Sequence, residues 1–354
     1  MIVRPTYRLA RIQSVQSLCC ALGVTEPQLR SVVSRAPRLY IGPKPKPKKN
    51  GKIRYVFDTK APLKPLLKKI NQVLFKRVDF PPYLTGSLSG RDFVANVEIH
   101  KGAHIAVSED IQSFFDSIKA AHVYRIWREF FGFAHEVAEL MTALMTKDGA
   151  ICQGTPTSSY LANLAFWDRE PSVVMKLAER GIRYSRYVDD ITLSAVEFLN
   201  DSDKQWAIDQ VYGMIIGAGF DVQRAKHAIA TGRGPITIMG LNANSKHKPT
   251  LTQAERSNIR ALVFQLEQRF SRGEANSKLI DDMNHASGKV GRLTRLHEFE
   301  GKQLRQRLNE IRRALDKMSV ETLPTDAFRK IGDRGTVASV KLSTAPSSDH
   351  TPPQ

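Results

Sequence analysis

Two short runs of β-branched and aromatic residues meet at a pair of aspartates in the stretch Arg183-Tyr184-Ser185-Arg186-Tyr187-Val188-Asp189-Asp190-Ile191-Thr192-Leu193-Ser194. This pattern predicts a strand, a tight turn and a second strand, with both carboxylates at the tip of the hairpin. Adjacent carboxylates repel each other, so this arrangement is unfavourable unless a cation or solvent takes up the charge. A solvated hairpin is the plainer alternative, because aspartate by itself favours turns.

Two segments upstream carry related chemistry. The run from Ile105 to Ile118 begins as a strand, and Asp110 lies at the end of its strand portion. The segment Gln153-Gly154-Thr155-Pro156 predicts a turn followed by the start of a helix. An isolated acid, a Gln-Gly-x-Pro turn and an acidic hairpin, in that order, resemble the palm of a reverse transcriptase. The resemblance covers about residues 10 to 316.

Further motifs resemble the retron type of bacterial reverse transcriptase. Asn96-Val97-Glu98-Ile99-His100 is similar to that family's Asn-Ala-x-x-His element, and Ile238 to Asn244 lies where the family usually has Val-Thr-Gly-Leu-x-Val-Asn. The sequence departs from the family where Ile151-Cys152 replaces Leu-Pro, where Val188 replaces Ala and where Met239 replaces Thr. We interpret the Asn and His of the first element as hydrogen-bonding residues that fix a loop.

Composition points to a polyanionic partner. The chain has 53 Lys and Arg against 35 Asp and Glu, a formal charge of +18, which favours nucleic acid or an anionic membrane surface. No apolar run approaches the roughly 18 residues of a membrane span, so nucleic acid is preferred and no membrane partner is expected. The three cysteines lack a zinc-ligand spacing, and the start of the chain lacks the apolar core of a signal peptide. A cytoplasmic location is expected.

The order of strands and helices predicts an α+β fold with an antiparallel sheet and helices on one of its faces. The resemblance implies a right-hand polymerase with fingers, palm and helical thumb, and the thumb helices are expected to break near Ser287-Gly288 and Gly301. The predicted boundaries are 1–40 for an N-terminal helical extension, 41–104 for the fingers, 105–235 for the palm with a fingers insertion around 119–150, 236–318 for the primer grip and helical thumb, and 319–354 for a tail expected to be disordered.

A basic hairpin is predicted in the fingers. Two strand-like stretches, Arg38 to Ile41 and Lys52 to Phe57, flank a charged loop from Lys44 to Lys52. A solvated linker would explain the same composition. The resemblance implies instead that the hairpin closes on a nucleotide triphosphate, with Arg54 as a phosphate contact and Lys52 as a weaker one.

Nucleotidyl transfer requires a 3′-hydroxyl made nucleophilic and a pyrophosphate whose charge is neutralised, and two divalent ions about 3.5–4 Å apart do both. Magnesium is the expected cofactor, with manganese able to substitute. The resemblance implies Asp110 and Asp189 as the main ligands, Asp190 as a weaker one and the backbone carbonyl of Ile111 as a further one. It also implies that Lys226, in a strand after the palm helix, protonates the departing pyrophosphate.

The resemblance assigns further residues to the incoming nucleotide. Gln153 and Gly154 are expected to lie under the nucleotide and its template partner. Phe115 matches the position whose ring excludes a 2′-hydroxyl, although a ring there could equally belong to the core. Its neighbour Phe114 is the better core candidate, since alternate residues of a strand face opposite sides.

The resemblance implies an RNA-directed DNA polymerase that copies part of a structured non-coding RNA into single-stranded DNA, starts from a 2′-hydroxyl of that RNA and serves in anti-phage defence. Its expected partners are the RNA template and primer, the DNA product, deoxynucleoside triphosphates and a defence effector or toxin protein. One alternative is another bacterial reverse transcriptase, linked to defence or CRISPR and without a retron RNA. The other is a catalytically silent RNA-binding scaffold, which has no physical need for three clustered acids.

Overall fold

The computed structural model describes residues 3–47, 51, 53–232, 234–245 and 247–321. Its contacts divide the chain into two compact units, Met1–Arg256 and Ser257–Gln354. The boundaries predicted for fingers, palm and thumb stay predictions. The last helix continues to Glu321, beyond the predicted start of the tail, and residues 322–354 lie outside the described residues.

The described residues form eleven strands, arranged in four sheets. The strands are β1 Thr6–Tyr7, β2 Tyr40–Pro47, β3 Ile53–Thr59, β4 Val78–Asp79, β5 Ile105–Asp110, β6 Arg183–Tyr187, β7 Asp190–Ala195, β8 Ala228–Thr231, β9 Thr237–Ile238, β10 Leu241–Asn242 and β11 Thr250–Leu251.

Thirteen α-helices accompany the strands in the described part of the chain. They are α1 Val15–Leu22, α2 Glu26–Leu39, α3 Leu63–Val73, α4 Phe93–Ile99, α5 Phe114–Ser117, α6 Ala120–Arg125, α7 His135–Met145, α8 Ser158–Leu164, α9 Glu170–Glu179, α10 Asp201–Gly217, α11 Gln253–Ser271, α12 Ser277–Leu296 and α13 Glu298–Glu321. Short 3-10 turns cover Phe75–Arg77 and Arg224–Lys226, and a π-helical turn covers Ile126–Phe130.

The segment predicted as the palm contains a four-stranded antiparallel sheet with the strand order β6-β7-β5-β8, which we call the palm sheet. In β7, Ile191 and Leu193 are buried on one face, and Thr192 and Ser194 are buried on the other. Both faces are therefore covered. Tyr184 of β6 bonds to Glu170 of α9 on one face, while its neighbour Ser185 bonds on the other face to His100, which directly follows α4. The expectation of helices on one face alone is wrong.

The hairpin predicted for the fingers, which we call the fingers hairpin, pairs β2 with β3, and its strands differ from the prediction. Helix α2 continues to Leu39, and β2 runs through Lys44 to Pro47 where a loop was expected. Proline is tolerated there because β2 is the edge of a two-stranded sheet, where a missing backbone N–H can face solvent. The repeated prolines favoured a loop, and the strand was therefore predicted too early in the chain.

Unit Ser257–Gln354 contains helices α12 and α13 and most of α11, and its apolar core includes Val263, Val290 and Leu308. The predicted break at Ser287-Gly288 is wrong, because α12 runs through it. The break predicted near Gly301 lies earlier, at His297, because α12 ends at Leu296 and α13 begins at Glu298. A Cβ atom at Gly301 would clash with the backbone of Thr294, so the glycine permits close packing of α13 on α12. Among the described residues no helix is long and apolar enough to cross a membrane.

Candidate active site

The strand register brings two of the predicted carboxylates face to face. Asp110 at the end of β5 is the direct cross-strand partner of Asp190 at the start of β7. Asp189 precedes Asp190 in the turn, and its carbonyl oxygen accepts a hydrogen bond from the Ile111 N–H at 3.2 Å. Partial withdrawal from water, followed by the charge of Asp189 and the hydrogen bond and charge of Asp110, raises the pKa of Asp190 to about 7, although the residue as a whole remains exposed.

Lys226 supplies a cation at this site, and its ammonium group forms an ion pair with the Asp110 carboxylate. Partial burial alone would lower the pKa of Lys226, but the hydrogen bond to Asp110 and the charges of Asp110, Asp190 and Asp189 together outweigh burial and raise the pKa. The residue lies in the 3-10 turn Arg224–Lys226 and not in a strand as predicted. Val222 pairs with Ile111 in an isolated bridge before this turn, and β8 begins after it at Ala228.

Glu109 holds this turn from the other side of β5. Its buried carboxylate accepts hydrogen bonds from the Tyr212 hydroxyl at 3.0 Å and from Nδ1 of His227 at 2.6 Å. Since His227 follows Lys226 directly, the contact ties the lysine's turn to the strand that carries Asp110. Glu109 was not predicted, since its only signal in the sequence is an acid adjacent to Asp110.

The donor set fits a divalent ion that is shared with a substrate. No group of three or more His, Cys, Asp or Glu side chains forms a metal cage within the part of the chain that the structure describes. Magnesium at nucleotide sites is typically held by one or two carboxylates together with substrate phosphates, so such a cage is not required. The Asp110 carboxylate already binds a cationic group. The Ile111 N–H points at Asp189. In extended backbone the N–H and C=O of one residue point to the same side, so the Ile111 carbonyl also faces Asp189.

Two buried groups fix the strands behind the carboxylates. Arg186 and Glu170 form a fully buried ion pair, with Nε at 2.6 Å from Oε1 and Nη2 at 2.8 Å from Oε2. His100 lies on one face of the hairpin and bridges its two strands, 2.7 Å from the hydroxyl of Ser185 and 2.7 Å from that of Ser194. Burial, followed by the charge of a nearby arginine, lowers the pKa of His100 to about 3, so the imidazole is neutral.

The Gln-Gly turn is attached to the fingers hairpin. The carbonyl oxygen of Gln153 accepts a hydrogen bond from the Phe57 N–H at 2.8 Å. Gly154 has a φ of +103°, and a Cβ atom there would lie 2.6 Å from the Phe57 carbonyl oxygen, so only glycine fits. Arg54 precedes Phe57 in β3, lies opposite Lys46 of β2 and is exposed to solvent. Lys52 lies outside the described residues.

The structure separates the two phenylalanines after Asp110. Phe114 is buried and stacks on Phe166, with ring centroids 5.7 Å apart, whereas Phe115 is partly exposed beside the core. The reason given from sequence was wrong, because both residues belong to helix α5 and not to a strand. Consecutive side chains diverge by about 100° around a helix, and this divergence separates the two rings. Phe115 stays a candidate for the sugar-facing ring.

The family profile described as "Reverse transcriptase (RNA-dependent DNA polymerase)" matches residues 45–243. This match, together with the palm sheet and its facing aspartates, defines a reverse transcriptase with a right-hand polymerase fold. The retron Se72 reverse transcriptase of Salmonella heidelberg (strain 579083-10) is 32% identical over 324 residues, which cover 90% of this chain and 85% of that protein. The retron Ec48 reverse transcriptase of Escherichia coli is 26% identical over 328 residues, which cover 89% and 80%.

The chain therefore belongs to the retron reverse transcriptases and is an RNA-directed DNA polymerase. This confirms the predicted class over a non-retron enzyme and over a silent scaffold. Among solved structures, telomerase from Candida albicans in complex with a fragment of telomeric RNA has a TM-score of 0.43 and 10% sequence identity, and covers 79% of this chain and 59% of its own.

Proposed function

We propose that this reverse transcriptase copies part of a bound structured non-coding RNA into single-stranded DNA by two-metal nucleotidyl transfer, in anti-phage defence. The observation that carries the chemistry is the register that sets Asp110 against Asp190, with a cationic group already paired to Asp110. Facing carboxylates are unfavourable without positive charge. The pKa of Asp190 is raised first by burial, then by the charge of Asp189 and by the hydrogen bond and charge of Asp110. A site of this kind favours divalent cations brought in with a triphosphate.

Asp110, Asp189 and Asp190, with the Ile111 carbonyl, would hold two magnesium ions, or manganese in their place. When bound, the ions supply activation of the 3′-hydroxyl and neutralisation of the leaving pyrophosphate. The chain's own contribution is to set the carboxylates at a fixed spacing on paired strands. Lys226 is protonated near neutral pH, as an ordinary lysine is. Its Nζ atom lies at the Asp110 carboxylate, from where it would donate a proton to the departing pyrophosphate.

Other residues would bind and select the deoxynucleoside triphosphate. Arg54, with Lys52, would contact the triphosphate from the fingers hairpin. Gln153 and Gly154 would lie under the nucleotide, on a turn that is hydrogen-bonded to the base of the same hairpin. Phe115 would exclude a 2′-hydroxyl. This arrangement couples the nucleotide's position to the hairpin that closes over it.

The remaining partners follow from charge and family. A net charge of +18 fits an RNA template and primer and the DNA product, whose phosphates dominate the affinity of such complexes. The retron relatives favour a dedicated RNA, with synthesis starting from one of its 2′-hydroxyls, and a defence effector or toxin protein as a further partner. Cys19, Cys20 and Cys152 are free thiols, which suits a cytoplasmic setting.

The Asp189→Asn variant tests the proposal. It removes a carboxylate but no phosphate contact, so primer extension on poly(rA)/oligo(dT) with magnesium should be lost while filter binding of RNA is retained. Asp281→Asn, an exposed position on α12, is the matched control and should extend normally. Substantial residual synthesis by Asp189→Asn would contradict the two-metal assignment.

A further inference from the structure

The acidic turn has a backbone conformation that its own sequence does not favour. Val188, directly before the two aspartates, has a φ of +65° and is buried. A β-branched residue with positive φ is an outlier, because its Cβ substituents crowd the backbone. Such a conformation persists only where the surrounding structure imposes it. Groups outside the turn must therefore hold it.

Arg186 holds the turn from within the palm. Its Nη1 atom donates hydrogen bonds to the carbonyl oxygen of Val188 at 3.0 Å and to that of Ala162 at 3.2 Å. Its Nη2 atom donates to the carbonyl oxygen of Asn163 at 3.0 Å, and its remaining donors engage Glu170. A guanidinium has five N–H donors, and these bonds use all five. The turn is thus tied to helices α8 and α9 by one buried side chain.

Gly86 holds the turn from the opposite side. A Cβ atom at Gly86 would lie 2.6 Å from the backbone nitrogen and 2.6 Å from Cγ2 of Val188, and 2.8 Å from the carbonyl carbon of Tyr187. The glycine segment is itself fixed to β6, because Thr85 N–H donates to the Arg186 carbonyl oxygen at 3.0 Å. No side chain of any size fits between this backbone and the turn.

Asn163 joins the two sides. Its carbonyl oxygen accepts from Arg186, and its Nδ2 atom donates to the carbonyl oxygen of Gly86 at 2.9 Å. We propose that Arg186, Gly86 and Asn163 form a clamp on the Val188 turn and act as positioning residues for nucleotidyl transfer. The inference rests on the proposed roles of Asp189 and Asp190, which follow Val188 directly. Any shift of the clamped backbone moves both carboxylates relative to Asp110.

The Gly86→Ala variant of the full chain tests the clamp by single-nucleotide extension on poly(rA)/oligo(dT). A misplacement near 1 Å costs about 100-fold in rate, so kcat should fall by about that factor. The KM for dTTP should change by less than about threefold, because the substrate contacts are intact. Template binding should stay near that of the wild type, and the melting temperature should fall, because the added methyl group overpacks this contact. Gly213→Ala in α10, where an added Cβ meets nothing within 4 Å, should leave kcat unchanged.

A second variant decides the matter if Gly86→Ala does not fold. Asn163→Ala removes the amide that joins the two sides and leaves every Arg186 bond in place, since those go to backbone and to Glu170. Its kcat should fall by about tenfold with KM unchanged. A folded Gly86→Ala or Asn163→Ala protein with wild-type kcat overturns the clamp. If Asp189→Asn is inactive at the same time, only the clamp fails, whereas an active Asp189→Asn enzyme overturns the proposed function itself.

Discussion

Two hairpins of this chain carry the proposed chemistry, and they are built in opposite ways. The palm hairpin, β6 and β7, is buried on both faces, and its Arg186 has no exposed surface. The fingers hairpin, β2 and β3, is largely exposed, with Ile53 and Tyr55 each more than half accessible to solvent. Metal-assisted transfer depends on sub-ångström placement, whereas attraction between a basic hairpin and a triphosphate tolerates adjustment. The comparison indicates that packing is concentrated where geometry decides the rate.

The largest expected effect contrasts one ion pair from each hairpin region. Glu170→Ala leaves Arg186 charged and buried without its partner, so the free energy of unfolding should fall by about 3–5 kcal/mol. Asp58→Ala removes the carboxylate of the pair with Lys64, whose side chains are 42% and 40% exposed, and should lower it by at most about 1 kcal/mol. Urea denaturation of both variants measures this. Equal losses in the free energy of unfolding would contradict the expectation that the buried ion pair contributes more to stability than the exposed one.

A smaller effect concerns pH and involves only the palm hairpin. The pKa of His100 is about 3 in the fold against an ordinary 6.5, so the unfolded chain takes up a proton as pH falls through 6.5 while the folded chain does not. The contribution of His100 to the free energy of unfolding is therefore full above pH 6.5 and declines below it. It falls by about 2 kcal/mol between pH 7 and pH 5.

The His100→Gln variant supplies the control, since it lacks the titrating group and should lose less stability over the same interval. Hydrogen exchange at pH 5 localises the effect. Amides of β7, bonded through Ser194 to His100, should lose protection relative to pH 7. Strands β2 and β3 contain no histidine and should not show this loss. If the free energy of unfolding falls equally with pH in the wild type and in His100→Gln, the loss does not come from His100.

The third effect concerns selection against ribonucleotides by Phe115, which follows the palm strand that carries Asp110. Phe115→Val should raise ribonucleotide incorporation by at least about tenfold, equivalent to about 1.4 kcal/mol, because steric exclusion of the 2′-hydroxyl is relaxed. Deoxynucleotide synthesis should fall only modestly. Phe114→Val is the control, since its ring lies in the core and should change stability but not sugar selection. Unchanged selection in an active Phe115→Val enzyme would place the sugar gate elsewhere.

The three aspartates stand out in the sequence because their order resembles the motifs of a reverse transcriptase palm, and the structure places Asp110 and Asp190 at strand ends. Their pairing could not be predicted, since the register that opposes Asp110 and Asp190 depends on which strands become neighbours. The partner of Arg186 was equally hidden. Glu170 is an ordinary acid at a helix start, and only tertiary packing makes it the counter-ion of a buried arginine.

The errors have local causes. Proline suggested a loop within β2, because its penalty in a strand disappears at a sheet edge. Glycine suggested a helix break at Gly301, because its use in close helix packing leaves no mark on the pattern around it. The role of Gly86 was not predicted either, because its close approach to Val188 leaves no mark on the sequence around it. Close approach between backbones is a property of two segments, and one sequence shows each segment alone.

The most direct test compares the two hairpins by their kinetic constants. Asp110→Asn and Arg54→Ala are each assayed by single-nucleotide extension across a wide range of dTTP concentration. The expected result is that Asp110→Asn fails to extend at any concentration, because the loss is in kcat. Arg54→Ala should instead raise KM by about tenfold and approach the wild-type kcat at saturation. Recovery of Asp110→Asn at high dTTP, or an unchanged KM in Arg54→Ala, would contradict the division between a buried hairpin for chemistry and an exposed one for nucleotide binding.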